Sequence, residues 1–227
     1  MLSRGVNCVA VGRDPRRVQQ SLTRWRRQFP EREVDVMSLD LGKPESLPRL
    51  EQLLAPYEHL AGLVVVAGSG APSEGSLLER HYASQQRNVL PALVSLSVCE
   101  ERLRRNNAAS VVLVSSIAGS EYIACPAEYA ASKASIHAYA AHWARSLAPV
   151  RVNVVTAGNI DSDASVWRRR KDADFEGLQE ELKRDVALGR LGEVGEIASI
   201  VAFLLSDGSS FINGSVLRAD GGQARAW

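Results

Sequence analysis

The chain is predicted to fold as one α/β domain, a doubly wound parallel sheet with helices on both faces. Three observations predict it. Short apolar runs rich in Val, Ile and Leu alternate with longer amphipathic stretches, the pattern of buried parallel strands joined by crossover helices. At 227 residues, with 45% apolar and 23% charged residues, the chain can bury one substantial core but hardly two. No internal repeat or low-complexity linker divides it, so residues 1–227 read as a single domain.

Taken in order, the apolar runs place strands at residues 7–11, 33–37, 60–66, 110–115, 150–155 and 214–218. Helices fill the intervals. Residues 15–28 and 47–54 form the early crossovers, and a long helix over 78–104 is expected to bend at Pro91. Further helices are expected at 126–148, 175–188 and 194–206.

Composition excludes several function classes. A formal charge of +1 provides no general attraction for nucleic acid or a membrane surface. Cys8, Cys99 and Cys125 are odd in number and widely spaced, which fits reduced thiols rather than a disulfide framework or zinc site. His59, His81, His137 and His142 show no ligand spacing, so no metal is expected. No run approaches the roughly 18 apolar residues of a membrane span, and no signal-peptide core opens the chain. The expected location is cytoplasmic.

Chemistry is concentrated in Glu128-Tyr129-Ala130-Ala131-Ser132-Lys133-Ala134. A phenol and an ammonium four residues apart on a helix point the same way. The cation is expected to favour the ionised phenol and lower its pKa from the usual value of about 10, giving a proton-transfer device for a carbonyl or alcohol. Ser116 lies thirteen residues before Tyr129, at the end of the run Val111-Val112-Leu113-Val114. In open α/β sheets ligands bind beyond the carboxyl ends of strands.

Together these residues resemble the classical short-chain dehydrogenase/reductase family, whose fold is Rossmann-like. Val111 to Gly119 followed by Tyr129-Ala130-Ala131-Ser132-Lys133 is similar to that family's catalytic serine and YxxxK helix. Asn88, in Arg87-Asn88-Val89-Leu90, matches the asparagine that completes its tetrad. Further matches are 150–155, Gly189-Arg190-Leu191-Gly192, Phe203-Leu204-Leu205-Ser206-Asp207 and Asp220-Gly221-Gly222, so the likeness runs from Gly5 to Gly222. The resemblance implies that Tyr129 is the general acid or base, that Ser116 holds the substrate oxygen, and that Asn88 supports a proton relay. It further implies that Lys133 tunes Tyr129, and that Tyr129 and Lys133 both meet the cofactor, Lys133 at the nicotinamide ribose. The hydride must come from that cofactor, because no side chain delivers one.

The start of the chain departs from the pattern. Family members open with a strand and a turn TGxxxGxG that holds pyrophosphate; here Met1 to Gly5 resembles the end of the first helix, and the second strand follows at once. The first strand and glycine-rich turn are therefore missing. Because that strand would stand mid-sheet, its neighbours would lie about 9 to 10 Å apart, with unpaired backbone groups costing about 1 to 3 kcal/mol each. An open gap is not expected. The alternatives are an incomplete version of a longer protein, which the intact catalytic motifs favour, closure of the second strand onto the fourth, or a strand supplied by another segment or chain.

Other sites follow from the resemblance. Val65-Val66-Ala67-Gly68 replaces the usual NNAG, leaving Ala67 and Gly68 on the cofactor side, and Ala157-Gly158 replaces Pro-Gly, with Ile160 and Ser162 still matching, the latter toward the carboxamide. Gly12-Arg13 ends the second strand where an acidic residue would favour NAD. The expected cofactor is therefore NADP(H), with Arg13 and its neighbours Arg16 and Arg17 near the phosphate and Asp40-Leu41 near adenine. The run Trp167-Arg168-Arg169-Arg170-Lys171 reads either as a solvated face or as a dock for an anionic carrier such as acyl carrier protein. The helix over 94–104 and the helix bearing Tyr129 and Lys133, with Ala138, Ala140, Ala141 and Trp143, are similar to faces that build homodimers and homotetramers in that family.

The resulting expectation is an NADP(H)-dependent reductase of a ketone or alcohol, with a carrier-bound 3-oxoacyl thioester as candidate substrate. The alternative is a cofactor-poor member that binds, regulates or performs non-redox acid/base chemistry.

Overall fold

The computed structural model describes residues 5–163 and 165–225. Its strands are β1 (Cys8–Gly12), β2 (Val34–Ser38), β3 (Gly62–Val65), β4 (Ser110–Ser116), β5 (Arg151–Ala157), β6 (Ile160–Asp161), β7 (Gly192–Glu193) and β8 (Val216–Ala219). Its helices are α1 (Pro15–Gln28), α2 (Leu47–Leu54), α3 (Leu77–Asn88), α4 (Leu90–Arg104), α5 (Ala127–Ser146), α6 (Val166–Ala173), α7 (Phe175–Asp185) and α8 (Val194–Leu204).

The main sheet runs β3-β4-β5-β8, with parallel pairing throughout. Alternation along the strands explains why their sequences are continuously apolar. Val111, Leu113, Val152 and Val154 face one core with α2, α4 and α5, whereas Val112 and Val155 face a second with Val201 and Leu204 of α8. Both faces are dry, so nearly every position must be apolar. Arg151 is an exception with partners: its Nη1 donates to the Leu204 and Ser209 carbonyls at 2.9 and 3.0 Å, tying the end of α8 to β5.

β1 and β2 form a separate parallel pair, from Cys8 opposite Val34 to Gly12 opposite Ser38. Asp14 caps the intervening α1, accepting from the Arg16 and Arg17 amides at 2.9 and 3.3 Å. One expectation is corrected here. Among the described residues β1 does not bridge to β3, so the alternative of direct closure is not adopted and the two strands stand apart. Every residue of β1 and β3 is only half-buried, so the unpaired edges can be hydrated, which removes most of the cost of leaving them apart. Val9, Val11, Leu63 and Val65 still pack on the same core.

The long helix is also two helices. Val89 caps α3 with a stretched right-handed conformation (φ −112, ψ −50), its N–H still bonded to the Gln85 carbonyl, and Pro91 lies in the first turn of α4: a proline has no N–H to give the preceding turn, and the helix divides there. Asn88 is thereby the last residue of α3. Residues 160–193 hold α6 and the small β6-β7 pair, neither of which the apolar periodicity marked.

Candidate active site

The carboxyl end of β4 delivers Ser116, whose Oγ accepts the Ala118 N–H at 3.2 Å and caps the turn Ile117–Gly119. α5 places Tyr129 and Lys133 one turn apart, and the Ser116 side chain acts on the Tyr129 phenol, favouring its ionised form. Lys133 is 4% exposed, with Nζ donating to the Ala67 carbonyl at 3.3 Å and lying 5.8 Å from the Tyr129 ring centre. Asn88 is 2% exposed: its Oδ1 accepts the Ser69 N–H at 3.0 Å and its Nδ2 donates to the Ser84 carbonyl at 3.0 Å. Three elements and the loop after β3 therefore bring the four predicted residues to one edge of the sheet.

Gly68 shows how tightly they converge. Its φ is +132, and a Cβ there would stand 2.3 Å from Asn88 Oδ1 and 2.9 Å from Lys133 Nζ. Only glycine fits between the amide and the ammonium.

The electrostatics correct one expectation. Tyr129 is shifted upward, because its burial outweighs the effect of the Ser116 side chain, and Cys125 adds to the rise. Lys133 does not dominate the phenol: it is itself buried, and that burial lowers its own pKa to about 8. Tyr129 is thus a neutral phenol at pH 7, equipped to give a proton, beside an ammonium that still carries charge.

The remaining predicted residues are placed as follows. Ala67 supplies the carbonyl for Lys133. Gly158 closes against Asp220, whose Cα a Cβ would meet at 2.8 Å. Ile160 lies in β6, and the Ser162 backbone is engaged with Ser165, which caps α6. Arg13 and Arg16 are exposed just beyond β1, while Arg17 pairs with Asp14 at 3.7 Å. Asp40 Oδ1 accepts the Gly42 N–H at 3.1 Å, a turn-forming role, and Leu41 packs into the core.

Two surface expectations concern partners. In the basic run, Arg168 and Lys171 both pair with Asp161, at 2.6 and 3.0 Å, and Arg170 pairs with Glu181. These cations hold α6 against β6 and α7, so the run is a structural clasp more than a free basic face. Most apolar residues of α4, and Ala140 of α5, are buried within the chain, whereas Ala138, Ala141 and Tyr139 of α5 are exposed, with Tyr139 stacked on Trp143 at 5.0 Å; Leu77, Leu78 and Tyr82 of α3 are exposed as well.

Sequence reasoning missed Ser84, which donates to the Glu128 carbonyl at 2.9 Å and so couples α3 to the start of the catalytic helix. Its place four residues before Asn88 was the available signal. Glu128 was also missed: it is buried and paired with Arg80 at 3.2 Å. Among the described residues no cluster could hold a metal, and no helix is long and apolar enough to cross a membrane. Burial raises the pKa of all three thiols, that of Cys99 to about 11.

Residues 1–224 match the family model described as enoyl-(acyl carrier protein) reductase. The chain belongs to the short-chain dehydrogenase/reductase family. It is 32% identical over 203 residues to the oxidoreductase YmfI of Bacillus subtilis, covering 83% of this chain and 76% of that protein. It is 32% identical over 196 residues to the 3-oxoacyl-(acyl-carrier-protein) reductase MabA of Mycobacterium tuberculosis, covering 84% and 74%. Among solved structures, the NADPH-bound short-chain oxidoreductase of Pseudomonas aeruginosa with an atypical catalytic centre matches with a TM-score of 0.87 at 24% identity, covering all of this chain and 90% of that one. L-sorbose reductase of Gluconobacter frateurii, solved with NADPH and L-sorbose, matches with a TM-score of 0.91 at 18% identity and the same coverage. These likenesses show the fold.

A short-chain dehydrogenase/reductase works with a nicotinamide dinucleotide, and half of the present site fits one. The buried Lys133 ammonium, the half-buried Ala67 and the exposed Gly68 suit the nicotinamide ribose. At the pyrophosphate position the described residues offer no glycine-rich turn.

Proposed function

We propose that this protein is an NADPH-dependent reductase of ketones, with 3-oxoacyl thioesters as the substrate class. One observation carries the reading: a half-buried, neutral Tyr129 phenol between Ser116 at the end of β4 and the buried Lys133 ammonium 5.8 Å from its ring, at the carboxyl edge of the sheet. Such a phenol can protonate an oxygen that becomes negative during reduction. NADPH, when bound, supplies the hydride. Ser116 orients the carbonyl oxygen, and Tyr129 gives it a proton. Lys133 supplies the charge that favours the resulting phenolate. Asn88 fixes the 67–69 loop so that Lys133 stays aimed into the site.

Arg13 in place of an acidic residue supports NADPH over NADH, and the relatives named as 3-oxoacyl reductases support the thioester. Because Arg168, Arg170 and Lys171 are engaged, any carrier contact rests on other residues, exposed Arg169 among them. Two copies are proposed to pair through exposed Leu77, Leu78 and Tyr82, which sedimentation would show as a dimer lost in Leu77→Asp.

The experiment is a fluorescence titration with NADPH and NADH, followed by turnover of 3-oxoacyl thioesters. Saturable NADPH binding and NADPH-dependent loss of the 3-oxo group are expected. The divided sheet favours a second reading, a cofactor-poor protein, and an absence of NADPH binding would establish that reading instead.

A further inference from the structure

Tyr129, Lys133 and His137 follow one another at four-residue spacing on α5, which puts them on one face of the helix. The proposed reaction uses the first two. His137 Nε2 lies 3.0 Å from Ser115 Oγ, and Ser115, which is buried, donates to the Lys133 backbone carbonyl at 3.3 Å. A hydroxyl has one hydrogen to give. With it directed to the Lys133 carbonyl, the hydrogen between Ser115 and His137 belongs to the imidazole, an arrangement that selects the Nε2–H tautomer. Burial and the Lys133 charge both lower the His137 pKa, keeping the ring neutral.

The turn beyond β4 is packed onto the same stretch of helix. A Cβ at Gly119 would stand 2.8 Å from His137 Cε1 and 2.8 Å from the Lys133 carbonyl carbon. Ser115 directly precedes Ser116, so whatever clamps Ser115 to α5 also sets the distance between Ser116 and Tyr129. Packing alone would require only volume from residue 137; a polar ring aimed at a buried hydroxyl supplies a directional tie.

We infer that His137 is a positioning residue which, in its Nε2–H tautomer, orients Ser115 and thereby locks the Ser116 end of β4 to the helical turn bearing Tyr129 and Lys133. The kinetic consequence rests on the reductase reading; the geometric one does not.

Two variants separate the tie from packing: His137→Gln retains an N–H donor, and His137→Leu retains volume without one. Imidazole nitrogen shifts measured by NMR in the native protein should show Nε2–H, and Ser115→Ala should release the tautomer into a mixture; an Nδ1–H ring in the native protein overturns the inference. The Tyr129 phenol, titrated in the protein without added ligand, should shift upward in His137→Leu as the Ser116 side chain is displaced, and return in His137→Gln. Equal Tyr129 titration in the two variants overturns it as well. In turnover, His137→Leu should lower kcat about tenfold, the worth of one hydrogen bond, with KM unchanged and recovery in His137→Gln. Should the native protein reduce no ketone, the reductase reading fails, while the tautomer and the Tyr129 titration still decide the role of His137.

Discussion

The β1-β2 pair and the β4-β5 pair are built from similar apolar runs and have different fates. Val111, Val112, Val152, Val154 and Val155 are completely buried, whereas β1 has no buried residue and neither does α1. A parallel strand is secure only when strands flank both edges and helices cover both faces. β4 and β5 have this; β1 has one bonded neighbour, and β3 closes the main sheet with a half-exposed edge. Ser116, Tyr129 and Lys133 stand on the secure half, and Arg13 stands on the other. The proposed proton handling is thus placed on rigid structure, and the residue proposed to read the adenosine phosphate on the part least tied down.

The largest expected effect is in hydrogen exchange. The β4 and β5 amides should exchange only through global unfolding, while those of Val9 and Val11 exchange roughly a thousandfold faster or more through local opening; equal protection would erase the contrast. Next, Tyr129→Phe should lower kcat by about a thousandfold, within the range of a lost general acid, without altering Tm. Val9→Asp, on the weak half, should raise the KM for NADPH and leave kcat at saturation unchanged. If Val9→Asp instead lowers kcat with KM intact, the two halves do not divide the work in this way.

A third test uses pH. The Lys133 pKa falls from 10.5 to about 8 on folding, so across that window the unfolded chain holds a proton that the folded one has released, and stability rises as pH rises. Below about 8 both states are protonated and the full cost of burying the ammonium remains. The gain from pH 8 to 10.5 should be about 3 kcal/mol, measured by urea unfolding as the difference between the native protein and Lys133→Met, in which the gain should be absent. Smallest is the packing contrast: Val154→Ala should cost about 2 kcal/mol and Val9→Ala less than about 1 kcal/mol.

Much of the site was legible because its chemistry is local in sequence. Tyr129 and Lys133 lie one turn apart, Ser116 ends an apolar run, and α1 and α2 begin and end where periodicity places them. α6 was not legible, since charge obscures its periodicity and its cations find their partners in Asp161 and Glu181 only after folding. The direction of the Tyr129 shift was misread for a related reason: spacing reveals the neighbouring cation but not how far the phenol and that cation are withdrawn from water.

The amino-acid sequence by itself determined the parallel α/β class, the residues proposed to handle the proton and the absence of an acidic residue at the end of β1. Those follow from side-chain period and residue type. Only the tertiary structure decided that the sheet divides between β1 and β3, that Asn88 ends a helix and grips the 67–69 loop, and that His137 reaches Ser115. Strand partnership and burial depend on what lies across the fold, and no local pattern along the chain carries that information.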